Sequence, residues 1–289
     1  MLRLLSVLFL IAATTLTCPT FAGEKIFGYS YTAEPFPKGA LEVYSWTTYR
    51  ANKGAGKYRA LDIRQEIEYG WTDKTAVAMY LNQSYHKIEN AAPTDENGDP
   101  EYANRESFNF QGVQFAAVHN LKSPYQNPYG LSLYFEPGYS TVFKITGQRQ
   151  QEYSFEFKVL FQKNFMDDTL IFAFNFSPEW EWRRFEGEDD FASELAVEAT
   201  TGLSYRLRSN WMAGLEARYH SEYPDTEFPI EHYALFLGPN IHYAKKHFWA
   251  TLTFLPQVYG WMDDHSRRHN LHLSEHEVHE TRLVMAWTL

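Results

Sequence analysis

Twelve stretches of this chain alternate apolar and polar residues with period two, and no other feature of the sequence constrains the fold as strongly. Side chains point to opposite faces along a strand, so each run separates an oily surface from a polar one. In the stretch from Leu61 to Tyr69, Leu61, Ile63, Ile67 and Tyr69 lie on one side and Arg64, Glu66 and Glu68 on the other. Further on, Tyr153, Phe155, Phe157, Val159 and Phe161 oppose Ser154, Glu156, Lys158 and Gln162. Leu195, Val197, Ala199, Leu203 and Tyr205 oppose Glu194, Glu198, Gly202 and Arg206, and Trp211, Ala213, Leu215, Ala217 and Tyr219 oppose Gly214, Glu216, Arg218 and His220. The runs cover approximately 40–50, 58–70, 74–87, 106–118, 129–140, 151–163, 169–182, 193–206, 210–220, 232–243, 247–259 and 277–289.

The links between runs alternate in length. Gly70 to Asp73, Asn164 to Asp168, Leu207 to Ser209 and Ala244 to Lys246 are tight hairpin connections. Between them fall longer polar links at Ile88 to Arg105, Arg183 to Ala192, Ser221 to Glu231 and Gly260 to His276, with His119 to Tyr129 as a mild exception. An even-stranded, antiparallel up-and-down barrel with short turns at one rim and long loops at the other is the arrangement of outer-membrane β-barrels. Both chain ends then fall on the short-turn rim, the periplasmic one.

Which face meets which solvent follows from the residue types. The second face is charged in strand after strand, and Tyr and Trp gather near the ends of the apolar one: Tyr69, Trp71, Trp180, Trp182, Tyr205, Trp211, Tyr219, Tyr243, Trp249, Tyr259 and Trp287. Such residues form belts at the two lipid–water boundaries, so the apolar face is expected to meet lipid and the charged face a watery or salt-bridged lumen. A soluble lipocalin-like barrel or sandwich, with its charged face outward, is the rival reading.

The first 22 residues read as a signal peptide: Arg3, an apolar run from Leu4 to Leu16, and Ala22 at the cleavage point. Cys18, the single cysteine, falls inside that segment, which leaves no disulfide or thiol chemistry in the mature chain. A lipoprotein acylated at Cys18 is disfavoured by Thr15-Leu16-Thr17 before it and Pro19 after it. The formal net charge of −10, one unit more acidic without Arg3, argues against a nucleic-acid partner. Residues 23–38 form an N-terminal leader or plug, in which Phe27, Tyr29 and Tyr31 alternate like a strand before Pro35 and Pro37 interrupt it. Residues 39–289 form the barrel. The implied partners are outer-membrane lipid, the barrel-assembly machinery during insertion, and a small solute, with the protein a monomer or small oligomer and no cofactor required.

Phe27-Gly28-Tyr29-Ser30-Tyr31-Thr32, Pro37-Lys38-Gly39, Trp46, Glu66-Ile67-Glu68-Tyr69-Gly70-Trp71-Thr72-Asp73, and His272 to Glu277 with Arg282 carry a resemblance. The mature chain resembles an uncharacterised family of Gram-negative outer-membrane barrels close to transporters linked to the meta-pathway of phenol degradation. The resemblance implies location, fold and transport, and hands over no binding residue. Such barrels often end in Phe; this chain ends in Leu289, with the stripe Leu283, Met285, Trp287, Leu289 kept.

Three constellations carry chemistry. Arg64, Glu66, Glu68, Glu156, Lys158, Glu198, Arg206, Glu216 and Arg218 face inward and are candidates to line a narrow pore. They either line it or pair off to seal it, because unpaired charge at low dielectric is costly. If the lumen conducts, the acidic excess favours cations or neutral solutes. His265, His269, His272, His276 and His279 recur at steps of four, three, four and three, one face of a helix but scattered on a strand. His265, His269, His272 and His276 are candidate ligands for zinc, copper or nickel, with a plain polar loop as the rival. Finally, His220-Ser221 with Glu216 or Glu222 is an arrangement for an acyl hydrolase, but adjacent strand residues point to opposite faces. The expectation is a transporter-like barrel and not an enzyme, with a sealed recognition barrel and an outer-membrane hydrolase as alternatives.

Overall fold

A computed structural model describes residues 25–34, 36–92, 102–224, 230–262 and 270–289. The signal-peptide reading of residues 1–22 therefore lies outside the described residues. Twelve strands follow in chain order: β1 (Leu41–Ala51), β2 (Ala55–Gly70), β3 (Thr75–Ala92), β4 (Arg105–Lys122), β5 (Gly130–Val142), β6 (Arg149–Phe165), β7 (Leu170–Phe185), β8 (Ala192–Arg208), β9 (Trp211–Pro224), β10 (His232–Lys245), β11 (Phe248–Met262) and β12 (His279–Thr288). Each pairs antiparallel with its sequence neighbours, and β1 closes on β12 with Val43 opposite Trp287 and Arg50 opposite Glu280. Closure leaves no edge strand unpaired, which is what lets a sheet stand in hydrocarbon.

The faces sort as the alternation requires. Ile67, Phe110, Phe115, Phe176, Leu215, Leu237 and Phe254 are exposed on the outside, whereas Glu66, Glu136, Glu216 and Glu280 are buried inside. Aromatic belts form at both ends of the outer surface. Near the short turns Trp211 packs on Tyr243 with ring centroids 4.6 Å apart and Phe248 on Trp287 at 5.4 Å; near the long loops Tyr233 contacts Tyr219 at 5.6 Å and Trp261 at 5.9 Å. Trp249 corrects the expectation of an all-aromatic belt. On β11 it shares a face with Thr251 and Thr253, is 1 % exposed, and sits inside against Tyr44 with its Nε1 donating to Glu42.

Most strands run longer than the sequence pattern predicts, whereas β12, at 10 residues, is shorter than the expected 277–289. β3 and β4 reach 18 residues each, where about 9–11 suffice to cross a bilayer. Ser221 lies within β9 as a result, not in a loop. The β1–β2 connection at that rim takes only residues 52–54.

Residues 25–34 run inside the barrel, in the half nearest the short turns. Ile26 and Phe27 pack with Tyr44, Trp46, Ile171, Ala173, Met212, Trp249 and Val284 into one buried apolar cluster. Phe27 lies flat over Gly202, where a Cβ would stand 2.5 Å from the ring. That contact is the reason a glycine belongs at this point of β8.

Candidate functional site

Twelve strands enclose more room than side chains alone fill. Here the two halves of the lumen are occupied differently. In the short-turn half, the segment 25–34 is held by wall groups from most of the strands. Glu216 on β9 accepts the amide hydrogens of Gly28, Tyr29 and Ser30 at 3.0, 3.0 and 3.1 Å, plus the hydroxyl of Thr253 at 2.8 Å. Consecutive amides converging on one carboxylate form a small anion nest, which offsets the cost of burying the charge. Lys25 donates to Glu66 at 2.9 Å and lies 3.5 Å from Glu68, while its ammonium sits over the Tyr44 ring at 4.2 Å. Asn175 accepts from the Tyr31 amide and Gln162 from the Ala33 amide, and Arg282 donates to the Gly28 carbonyl.

Beyond Tyr29 and Tyr31 the lumen opens into a polar cavity of ≈ 310 Å³. Its wall carries eleven carboxylates and seven Lys or Arg side chains. The charges are not evenly spread. Glu136, Glu156 and Glu179 stand directly opposite one another on β5, β6 and β7, a row of three carboxyl groups side by side. Lys158 pairs with Glu156 at 2.6 Å, and Arg64 reaches Glu136 at 3.4 Å while also bonding Asn82 and Gln114. Arg218 joins Glu198 at 2.5 Å to Glu280 at 3.0 Å, and Arg183 collects Glu152, Glu181 and Glu194.

Of the nine inward-facing residues singled out by sequence, Arg64, Glu156, Lys158, Glu198 and Arg218 stand on the cavity wall. Glu66, Glu68 and Glu216 also face inward but are buried beneath the segment 25–34: Glu66 and Glu216 accept from it, while Glu68 accepts the Tyr44 hydroxyl and lies 3.5 Å from Lys25. Arg206 lies near the short-turn rim, with the Asp168 carbonyl at 3.5 Å. Sequence reasoning passed over Glu136, Glu179, Glu181 and Arg183. Their strands carried the signal, since each falls on the inward parity of β5 or β7.

Two loops fold over the long-loop end. Arg50 donates to Asp62 at 2.8 Å, to Glu277 at 2.6 Å and to the Lys144 carbonyl, so one guanidinium ties the wall to residues 143–148 and to 270–278. Lys53 donates to the carbonyls of Leu273, Ser274 and His276 at 3.2, 2.9 and 3.0 Å. Beneath this cover sits a histidine cluster. His272 Nδ1 is 2.9 Å from His276 Nδ1, His276 Nε2 is 3.0 Å from His220 Nδ1, and His232 stacks on His272 with centroids 4.1 Å apart. Burial pushes His272 down to about 2 and His276 well below the ordinary imidazole value, so both are neutral at pH 7. Burial raises Glu275 in the same loop.

The sequence spacing thus anticipated His272 and His276, but the grouping came from elsewhere. His265 and His269 lie outside the described residues. His279 is on β12 and packs against Phe254, away from the cluster, while His220 and His232 join from β9 and β10. The pair His220-Ser221 does not assemble a nucleophile: the Ser221 hydroxyl donates to the Val197 carbonyl at 3.2 Å, whereas His220 faces His276.

A closed antiparallel barrel with an apolar exterior, aromatic belts and a charged interior is a transmembrane β-barrel of the outer-membrane type. The chain belongs to DUF6662, a family of unknown function whose profile matches residues 19–289. A search of curated proteins found no match. Among solved structures, an outer membrane channel from Pseudomonas putida F1 superposes with a TM-score of 0.61 at 8 % identity, covering 89 % of this chain and 98 % of that one. The β domain of the Bordetella autotransporter BrkA gives 0.52 at 11 %, with 87 % and 100 % covered. The translocator domain of the autotransporter NalP from Neisseria meningitidis gives 0.51 at 11 %, with 86 % and 88 % covered. At these identities the likeness is one of fold.

Proposed function

We propose that this barrel resides in the outer membrane of a Gram-negative bacterium and binds and passes small polar solutes, with residues 25–34 acting as a plug on the periplasmic side. The observation that carries the reading is the polar cavity, walled by the carboxylate row Glu136, Glu156, Glu179 and by more acids than bases. A wall of that sign favours cations and neutral molecules over anions. The resemblance to barrels linked to phenol degradation supports hydroxylated aromatics, neutral at pH 7, as cargo. Tyr29, Tyr31 and Trp46 on the cavity wall offer such rings a stacking face.

Planar-bilayer recording tests the proposal. The intact chain is expected to conduct little, and removal of residues 25–34 to raise the current at least about tenfold with a cation-selective reversal potential. A correctly folded deletion variant with no current above leak would favour the second reading, a sealed recognition barrel. The dense pairing around Arg218 and Arg183 is the observation that speaks for that reading.

A further inference from the structure

We propose that His232, His272 and His276, with His220 beside them, bind one divalent transition-metal ion of the zinc, copper or nickel class, and that the ion fastens the segment 270–278 across the outer end of the lumen. The inference stands apart from solute passage, since it concerns the cover and not the pore.

One nitrogen from each of His232, His272 and His276 falls within 4.8 Å of the others, and all three residues are buried. Nitrogens bound to one zinc at about 2.0–2.1 Å lie about 3.3 Å apart in a tetrahedral site, so small side-chain rotations bring the set together.

A second, independent observation points at a ligand. Among the described residues, His232 Nδ1 and His272 Nε2 are buried without a hydrogen-bond partner. His232 Nε2 faces Glu222 Oε2 at 2.8 Å, which leaves Nδ1 as the nitrogen available to an ion. A carboxylate behind a histidine, fixing its tautomer and turning the other nitrogen toward an ion, is the usual outer support of a metal site. The backbone is also set in advance. Gln257 accepts from the His272 amide at 2.6 Å and donates to the carbonyls of His272 and Glu277 at 2.8 and 3.1 Å, and Lys53 gathers three more carbonyls of the same segment. A site whose supports are in place loses little freedom on binding.

The test uses the full mature chain folded in detergent, with folding verified by heat-modifiable mobility on gels. Equilibrium dialysis against zinc alone is expected to give one ion per barrel, and cobalt(II) in its place a visible d–d spectrum typical of nitrogen ligands. His232→Ala and His276→Ala should each weaken zinc binding by more than the roughly 100-fold that loss of an outer support costs, and Glu222→Gln by about 10- to 100-fold. His279→Ala, four positions from Glu275 on the outward parity of β12, should leave affinity unchanged. Absence of a stoichiometric ion after dialysis of the folded barrel against zinc, copper(II) and nickel(II) in turn would overturn the proposal, leaving a hydrogen-bonded imidazole chain only. So would zinc binding that survives His232→Ala, because the ligands would then lie wholly within the loop.

Discussion

The two halves of this lumen are filled by opposite means. Near the short turns the filling is a piece of the chain itself, with Phe27 in an apolar cluster and Glu216 holding three of its amides. Near the long loops the wall charges are left around open space, and the cover is drawn inward by single cations, Arg50 and Lys53, that each hold several acceptors. Apolar packing is indifferent to direction and closes space completely. Ionic ties are directional and leave a cavity. The same barrel therefore has one half filled by its own chain and another built around a site.

Three substitutions sharpen the contrast. Arg50→Met should have the largest effect, because it takes the guanidinium from half-buried Asp62 and leaves buried Glu277 with only Lys53 at 3.6 Å; about 3–5 kcal/mol is the usual cost of breaking such a group. It should free residues 143–148 and 270–278, read as new protease cuts from the outer side, while hydrogen exchange of residues 25–34 stays slow. If exchange in both regions rises together, the two ends are not independent. Phe27→Ala should do the converse, costing about 3–4 kcal/mol of packing and exposing residues 25–34 to exchange without touching the loops. Glu216→Gln should be the mildest. It keeps an acceptor but removes the charge, so about 1–2 kcal/mol of docking is lost, visible as faster exchange at Gly28, Tyr29 and Ser30 alone. Unchanged exchange there would mean that the apolar cluster holds the segment without help from the nest.

The alternation of Leu61 to Tyr69, Tyr153 to Gln162 and Trp211 to His220 was enough to give strands, their faces, their approximate number and the up-and-down order. These are local properties: parity along a strand has period two, and a run of five or six residues already displays it. Trp249 shows the limit, since residue type suggested lipid while its parity, shared with Thr251 and Thr253, put it inside. Parity outweighs type because a one-residue slip would turn every neighbour around.

Closure was needed for the rest. That Glu216 meets Gly28, 188 positions earlier in the chain, and that His276 meets His220, 56 positions away, depends on which strands become neighbours and how far each is staggered. Spacing along the chain grouped His272 and His276 with His279, but the last turns outward with β12 and its place is taken by His232 from β10, two strands away in the closed sheet. Local sequence thus fixed what each residue faces, oil or water. Only the closed sheet decided which charges share the enclosed space, because that is a property of shear and register that no single strand carries.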